Sequence, residues 1–190
     1  PHFTLKGNAM FALGIVTGAN RSLLSDTPLP GYEPVITGKE IEKFELLSAR
    51  KYMEFRPESF QQCAPVEFYR AKKKLFYRFI AGEPIVALDE DGRISLNSAN
   101  IIIPGDTGYS PRYIMAILNS SVVSFYYRHR FRNMKVLRSA LEQLPIAACN
   151  SSQQQELEAL TYEPDQEKID RYVASLYGLS DEELLIIREN

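Results

Sequence analysis

The sequence predicts an α+β domain, in which a small mixed or antiparallel β-sheet packs against helices and a helical C-terminal tail follows. Short apolar runs at residues 75–80 and 101–103 are typical of buried strands. Apolar residues after Ser110 recur at helical spacing, and two capping-box patterns start helices in residues 151–190. With 190 residues and 45% apolar content, the chain is long enough to bury one core.

The first part of the chain combines one strand with two turns. Residues 8–16 show little polar alternation, which predicts a strand that is buried on both faces. Residues 17–20 (Thr-Gly-Ala-Asn) end this strand in a turn, because glycine and asparagine tolerate positive φ. Residues 36–41 (Ile-Thr-Gly-Lys-Glu-Ile) predict a second turn that leads into a short strand or helix.

A strand at residues 75–80 and a hairpin come next. Residues 85–88 and 93–96 flank Asp89-Glu90-Asp91-Gly92, a loop composition that is common in β-hairpins. We expect the three acidic residues of this loop to be exposed turn residues rather than ligands of a cation. Residues 101–103 predict a short buried strand, which Pro104 stops.

One long helix is predicted to begin at Ser110 and to end near Arg128. Ser110 is a favourable N-cap, and Pro111 suits the first helical position. Asn119 and Ser120 would lie in the middle of this helix, where they pack or bend it. The residues expected on the buried face are Ile114, Ile117, Leu118, Val122 and Phe125.

The tail differs from the body in charge. Ser152 with Gln155 and Ser180 with Glu183 predict two helix starts, and Gly178 predicts a helix end. Residues 151–190 hold ten acidic and three basic residues, whereas residues 1–150 hold 14 acidic and 19 basic residues. We therefore divide the chain into a cationic body, residues 1–150, and an acidic helical tail, residues 151–190.

Several classes of function are disfavoured by what the sequence lacks. Two histidines and two cysteines do not suffice for an ordinary zinc site, and no phosphate-binding or dinucleotide-binding glycine motif occurs. None of the nine lysines has an acidic residue two positions before it, as a restriction-type nuclease core requires. We predict no catalytic residue and no metal site. Without a long apolar run or a signal peptide, the sequence predicts a cytoplasmic protein.

Basic residues gather in two clusters. The first basic cluster is interleaved with aromatic residues and suggests a track for phosphates, or alternatively an edge strand that lysines protect from aggregation. The second basic cluster is too large for helix-end charges alone, so phosphate contact is favoured. The first cluster consists of Arg70, Lys72, Lys73, Lys74 and Arg78; the second consists of Arg128, Arg130, Arg132, Lys135 and Arg138.

Residues in the two early loops have the chemistry of base-edge contacts. Asparagine pairs well with adenine, and arginine or lysine pairs well with guanine. Asn20 and Arg21 in the first loop and Lys39 in the second are the candidates. Asn97 and Asn100 have suitable side chains too, but a role in stabilising turns is an equal alternative.

The order of these segments resembles the TaqI-like C-terminal specificity domain of adenine-specific DNA methyltransferases. Such domains occur in type IIG restriction-modification enzymes and related phage-defence methyltransferases, and the target recognition domains of type I specificity subunits are more distantly similar. The matching segments are residues 14–20, 36–41, 74–78, 96–97, 101–103, 113–120, 125–127 and 141–146, followed by tail residues 169–172, 176–179 and 182–183.

This resemblance implies a module that recognises a sequence in double-stranded DNA and is not an enzyme by itself. The family's cofactor-binding glycine motif and Asn-Pro-Pro-Tyr-type motif do not occur in this sequence. The resemblance therefore places an S-adenosylmethionine-dependent methyltransferase domain before Pro1 in the same parent chain, where it flips and methylates an adenine. No cofactor is expected in residues 1–190.

A protein-interaction or scaffold domain is the alternative interpretation. Its acidic tail would pack on a partner or on its own basic body. The two interpretations differ in geometry, because DNA recognition requires both basic clusters and the first loop on one concave surface. A scaffold permits these residues to scatter.

Overall fold

The computed structural model describes residues 1–189 and confirms the α+β fold. Two short 3₁₀ helices lie at Gly38–Glu40 and Pro57–Ser59. The strands are β1 (His2–Phe3), β2 (Ala9–Ala12), β3 (Glu33–Ile36), β4 (Ile41–Glu42), β5 (Glu45–Leu46), β6 (Lys51–Met53), β7 (Lys74–Arg78), β8 (Val86–Asp89), β9 (Ile94–Ser95), β10 (Ala99–Pro104) and β11 (Ile146–Ala147). The helices are α1 (Asn20–Leu23), α2 (Val66–Arg70), α3 (Pro111–Asn119), α4 (Ser121–Phe131), α5 (Arg138–Leu141), α6 (Ser151–Ala159), α7 (Gln166–Leu176) and α8 (Asp181–Glu189).

A four-stranded antiparallel sheet, in the order β2-β10-β7-β8, forms the centre of the molecule. A three-stranded sheet, β6-β3-β9, is mixed, because β3 pairs antiparallel with β6 and parallel with β9. Strands β4 and β5 form a small hairpin, and β1 pairs with β11. The predicted antiparallel or mixed pairing is confirmed, but the strands are divided among four small sheets rather than one within the described residues.

The four-stranded sheet separates two hydrophobic cores. Alternate side chains of a strand point to opposite faces, so Leu75 and Tyr77 of β7 enter one core while Phe76 enters the other. The first core lies between the sheet and helices α3, α4, α6 and α7, and the second lies between the sheet and β3 and β9. Strand β7 is therefore buried on both faces. Since it also has a strand on either side, it is not the protected edge strand that was the alternative for the first basic cluster.

The helical tail packs on the body through apolar residues. Leu157 of α6 and Ile169 and Val173 of α7 are fully buried in the first core. The capping box predicted at Ser180 and Glu183 is confirmed by hydrogen bonds in both directions. The one predicted at Ser152 is wrong by two residues, because Asn150 and Gln153 form the capping box of α6.

Two strand predictions need correction. Residues 9–12 do not form a strand buried on both faces: β2 is an edge strand, and Met10 is 55% exposed. Residues 85–88 and 93–96 do not pair with each other as a hairpin. Instead β8 pairs antiparallel with β7, and β9 leaves for the other sheet, where it pairs with β3.

The single long helix predicted from Ser110 is two helices. Ser110 is the N-cap of α3 as expected, but Ser120 adopts an extended conformation and becomes the N-cap of α4. Asn119 explains the break, because its side chain accepts from Val86 N (2.9 Å) and donates to Val86 O (2.7 Å). After the break the buried face changes, so that Val123 and Tyr127 are buried while Val122 and Phe125 are only partly covered.

Lys74 and Asp89 form a buried ion pair between β7 and β8. The Lys74 ammonium donates to Asp89 Oδ2 (2.5 Å) and to the carbonyls of Tyr69 (2.7 Å) and Ala71 (3.0 Å). Asp89 Oδ2 also accepts from the backbone N–H groups of Gly92 and Arg93. Burial lowers the pKa of Lys74, but Asp89 acts in the opposite direction. Asp89 is thus a structural residue, and the prediction that it is exposed was wrong.

We predict that Lys74→Met destabilises the fold by about 3 kcal/mol, because it leaves the Asp89 carboxylate buried with only the more distant Arg93, at 3.7 Å, as a cation. Lys72→Met is the matched control: Lys72 is exposed, and we expect a change within about 0.5 kcal/mol. Urea denaturation measures both values. A loss below about 1 kcal/mol for Lys74→Met would contradict the structural role of the pair.

Candidate functional site

A cleft of about 770 Å³ lies between the first loop, the 36–42 segment and the end of β7. Asn20, Lys39 and Arg78, which the sequence analysis selected from three separate segments, all line it. Arg21 is exposed directly after Asn20, at the start of α1. Two of the three loop candidates and one member of the first basic cluster therefore share one surface.

The 36–42 segment is held in place by its own short-range hydrogen bonds. Thr37 caps the Gly38–Glu40 helix in a capping box, with Thr37 N donating to Glu40 Oε2 at 2.9 Å. Glu40 is 2% exposed, so this carboxylate lies beneath the surface of the cleft. The segment then continues directly into β4, which confirms the predicted turn at residues 36–41.

Gly38 permits close contact between this segment and the floor of the cleft. A Cβ atom at this position would lie 2.9 Å from the Ser98 carbonyl oxygen and 3.3 Å from Arg78 Cγ. Gly38 N donates to Ser98 Oγ at 3.0 Å. The glycine is thus required by space rather than by an unusual φ, and the next residue, Lys39, lines the same cleft as Arg78.

The cleft contains charges of both signs. Arg78 Nη2 donates to Glu42 Oε1 at 3.0 Å and also to the Ile41 carbonyl. Arg50 lies 3.7 Å from Glu40, and Lys51 pairs with Asp26. Arg50, Lys51, Ser98, Glu40 and Glu42 were not predicted as site residues. Residues 42–70 show no clean periodicity in the sequence. The pairing of β6 with β3 is what brings Arg50 and Lys51 of this range to the cleft.

Part of the second basic cluster adjoins the cleft. Ile80 lines the cleft, and its backbone forms a β-bridge with Lys135. Arg128 pairs with Glu83, whose other carboxylate oxygen is 3.1 Å from Lys43, the residue after Glu42. Burial alone would raise the pKa of Glu83, but the two cations outweigh it and lower the pKa.

Eight of the 22 lysines and arginines have no acidic partner within 4 Å in residues 1–189. Of the 22 lysines and arginines, 14 form ion pairs with carboxylates within 4 Å in the described residues. The other eight include seven that the sequence analysis named as DNA contacts, and all seven are exposed. They are Arg21, Lys39, Lys72, Lys73, Arg130, Arg132 and Lys135. Exposed cations of this kind are available for anions of another molecule.

The remaining predicted residues lie elsewhere. The prediction of Lys74 as a surface contact was wrong, because its side chain is 0% exposed and its ammonium group forms a buried ion pair with Asp89. Lys72 and Lys73 lie beyond the end of β7 that is opposite to Arg78, and the strand itself spans about 13 Å from Lys74 to Arg78. The first basic cluster therefore does not form one surface.

In the second basic cluster, Arg138 is exposed but pairs with Glu142 at 2.8 Å and lies over the Phe11 ring.

Asn97 and Asn100, for which the sequence left two roles open, lie in different environments. Asn100 is buried, and its Oδ1 accepts from Gly14 N at 2.9 Å, which makes it a turn-stabilising residue. Asn97 is exposed beside the first loop, in a small hollow that it shares with Asn20. Its side chain makes no hydrogen bond within residues 1–189.

A model of the TaqI-like C-terminal specificity domain family matches residues 33–146 of this chain, which is more than half of its length. The chain belongs to this family. The matched range of the specificity domain includes Lys39, Arg78 and the whole second basic cluster. It excludes the first loop and the acidic tail. Among curated proteins, none matches the sequence.

The fold of this chain is similar to that of three solved structures, two of which belong to restriction-modification systems. The type IIL restriction-modification enzyme MmeI in complex with DNA has a TM-score of 0.57 at 10% identity, covering 94% of this chain and 34% of that one. A type I restriction-modification complex has a TM-score of 0.52 at 11% identity, covering 100% and 45%. The HsdS subunit from Thermoanaerobacter tengcongensis has a TM-score of 0.50 at 14% identity, covering 99% and 42%. This chain thus spans less than half the length of each.

The described residues contain neither a metal-binding group nor a membrane-spanning helix. Within the part of the chain that the structure describes, no group of three or more His, Cys, Asp or Glu side chains is arranged to hold a metal ion. No helix in residues 1–189 has the length and apolar character needed to cross a membrane.

We predict that Gly38→Ala destabilises the fold by about 1–3 kcal/mol, because the added methyl group meets a backbone oxygen that must move. Gly31→Ala is the comparison, since a methyl group there meets no atom within 4 Å and costs only the strain of a positive φ. Chemical denaturation of both variants gives the difference. A Gly38→Ala protein as stable as the parent would show that the segment does not pack as described.

Proposed function

We propose that this specificity domain is a target-recognition module that binds double-stranded DNA for a restriction-modification or phage-defence methyltransferase. The observation that carries the proposal is the cleft together with the exposed cations that have no acidic partner, of which Lys39 lines the cleft and Lys135 is bridged to its lining residue Ile80. Lys39, Arg130, Arg132 and Lys135 have no acidic partner in the described residues, although the chain as a whole carries a net charge of −2. Cations left unpaired in an acidic protein fit an interface for a polyanion.

The two parts of this surface suit two kinds of contact. Phosphate contacts fix the position of a protein on the duplex, whereas contacts with base edges read the sequence. The exposed arginines and lysine of residues 130–135 suit phosphates. The cleft, which offers amide, hydroxyl, carboxylate and cationic groups within about 770 Å³, suits base edges.

We further propose that catalysis belongs to another part of the parent protein. An adenine-specific methyltransferase domain, with S-adenosylmethionine as its cofactor, would precede this chain and act in the cytoplasm. The family match and the short span of this chain relative to the structures of similar fold support this arrangement. The specificity domain would hold the duplex while that domain modifies the base.

The function is tested by selecting duplexes from a random library on this chain and then titrating salt. We expect a short enriched motif and a binding constant that falls with salt by a slope of about 0.9 per phosphate contact. Arg130→Gln with Lys135→Gln should reduce that slope by up to about 1.8. No retention of any duplex by the folded chain would overturn the proposal.

A matched control separates specific contacts from general charge. Lys168→Gln with Arg171→Gln also removes one lysine and one arginine, but both residues lie on tail helix α7 and pair with acids of that tail. We expect this variant to keep the slope of the parent chain. An equal loss of slope in both variants would show that the basic segment is not the phosphate contact.

A further inference from the structure

We propose that Glu42 is a specificity-determining residue, whose carboxylate accepts a hydrogen bond from the exocyclic amino group of a base in the cleft. This inference rests on the proposed function and assigns a role within it. The chemistry that it names is the amino donor of cytosine N4 or adenine N6, which are the amino groups that the major groove displays.

Glu42 presents a free acceptor to the cleft. It lies on β4 and lines the cleft, and its side chain is 53% exposed. Only Oε1 receives a hydrogen bond from a described residue, the one from Arg78 Nη2 at 3.0 Å. Oε2 therefore remains open to a donor from outside the molecule.

The carboxylate is held in position before any ligand arrives. Arg78 projects from β7, a central strand with a partner on either side, and its Nη2 is fixed a second time by the Ile41 carbonyl. Strand β4 is in turn paired with β5, where Glu42 lies opposite Glu45. A group fixed in this way loses little freedom on binding, which favours discrimination between bases.

The second acidic residue of the cleft has a different role. Glu40 is 2% exposed, and its Oε2 accepts from Thr37 N at 2.9 Å and from Thr37 Oγ1 at 2.5 Å. Its Oε2 is engaged in the capping box, and its Oε1 lies 3.7 Å from Arg50. Glu42 is thus the acidic residue of the cleft that is left to meet a ligand.

A carboxylate also determines which part of the DNA can approach. It repels phosphates, so Glu42 is unfavourable at a contact with the backbone of the duplex and favourable only where an amino donor compensates it. Beside it, Arg78 and Lys39 supply donors that suit the acceptors of a guanine. The cleft would therefore read base edges, and the duplex backbone would lie on the cations outside it.

The test uses a double-mutant cycle on the enriched duplex. Each adenine of the motif is replaced in turn by purine deoxyriboside, and each cytosine by a 2-pyrimidinone deoxyriboside, which removes one amino group at a time. At one position we expect the loss to weaken binding of the parent chain by about 5- to 150-fold. Glu42→Ala should bind this modified duplex and the unmodified one equally well.

Glu45→Ala is the matched control, since it removes an exposed carboxylate of the same hairpin that does not line the cleft. It should keep the full preference for the amino group. If Glu42→Ala retains that preference at every position, or loses it no more than Glu45→Ala does, the inference is wrong while the proposed function stands. If the parent chain selects no motif, the proposed function itself fails.

Discussion

The double-sided burial of strand β7 is the constraint on which the rest of the structure depends. Three of its five residues, Leu75, Phe76 and Tyr77, supply side chains to the two hydrophobic cores, so the helical layer and the three-stranded sheet are positioned from the same strand. A polar group at either end of such a strand must be compensated. Lys74 is compensated at one end by a buried carboxylate, and Arg78 at the other end by an exposed one, so of these two side chains only that of Arg78 is accessible to another molecule.

The sequence was informative at most positions where the signal is local, although the capping box expected at Ser152 lies two residues earlier. The capping residues Ser110 and Ser180 and the turn at residues 36–41 are determined by neighbours in the chain. Local signals fail where the competing interaction is distant. Asn119 ends α3 because Val86, 33 residues away, offers both a backbone donor and an acceptor. Strand β9 leaves the expected hairpin because β3 is available as a parallel partner.

The difference between local signals and distant interactions also explains how much of the candidate site could be predicted from the sequence. Exposed cations could be selected from the sequence because lysine and arginine clusters stand out, and seven of the named ones have no acidic partner in the described residues. Which of them share a surface depends on strand order, so Lys72 and Lys73 separate from Arg78 although they are close in sequence. Lys74 shows the limit most clearly, since nothing in a run of three lysines indicates that the third is buried with Asp89.

The most direct test of the DNA-binding surface is to footprint lysines by acetylation, with and without the selected duplex, using mass spectrometry. We expect DNA to protect Lys39 and Lys135, while Lys72, Lys73 and the tail residue Lys168 keep their reactivity. The first two lie beside or within the cleft, and the last three lie away from it. Protection of Lys72 and Lys73 without protection of Lys39 and Lys135 would contradict the proposed surface and place DNA at the other end of β7.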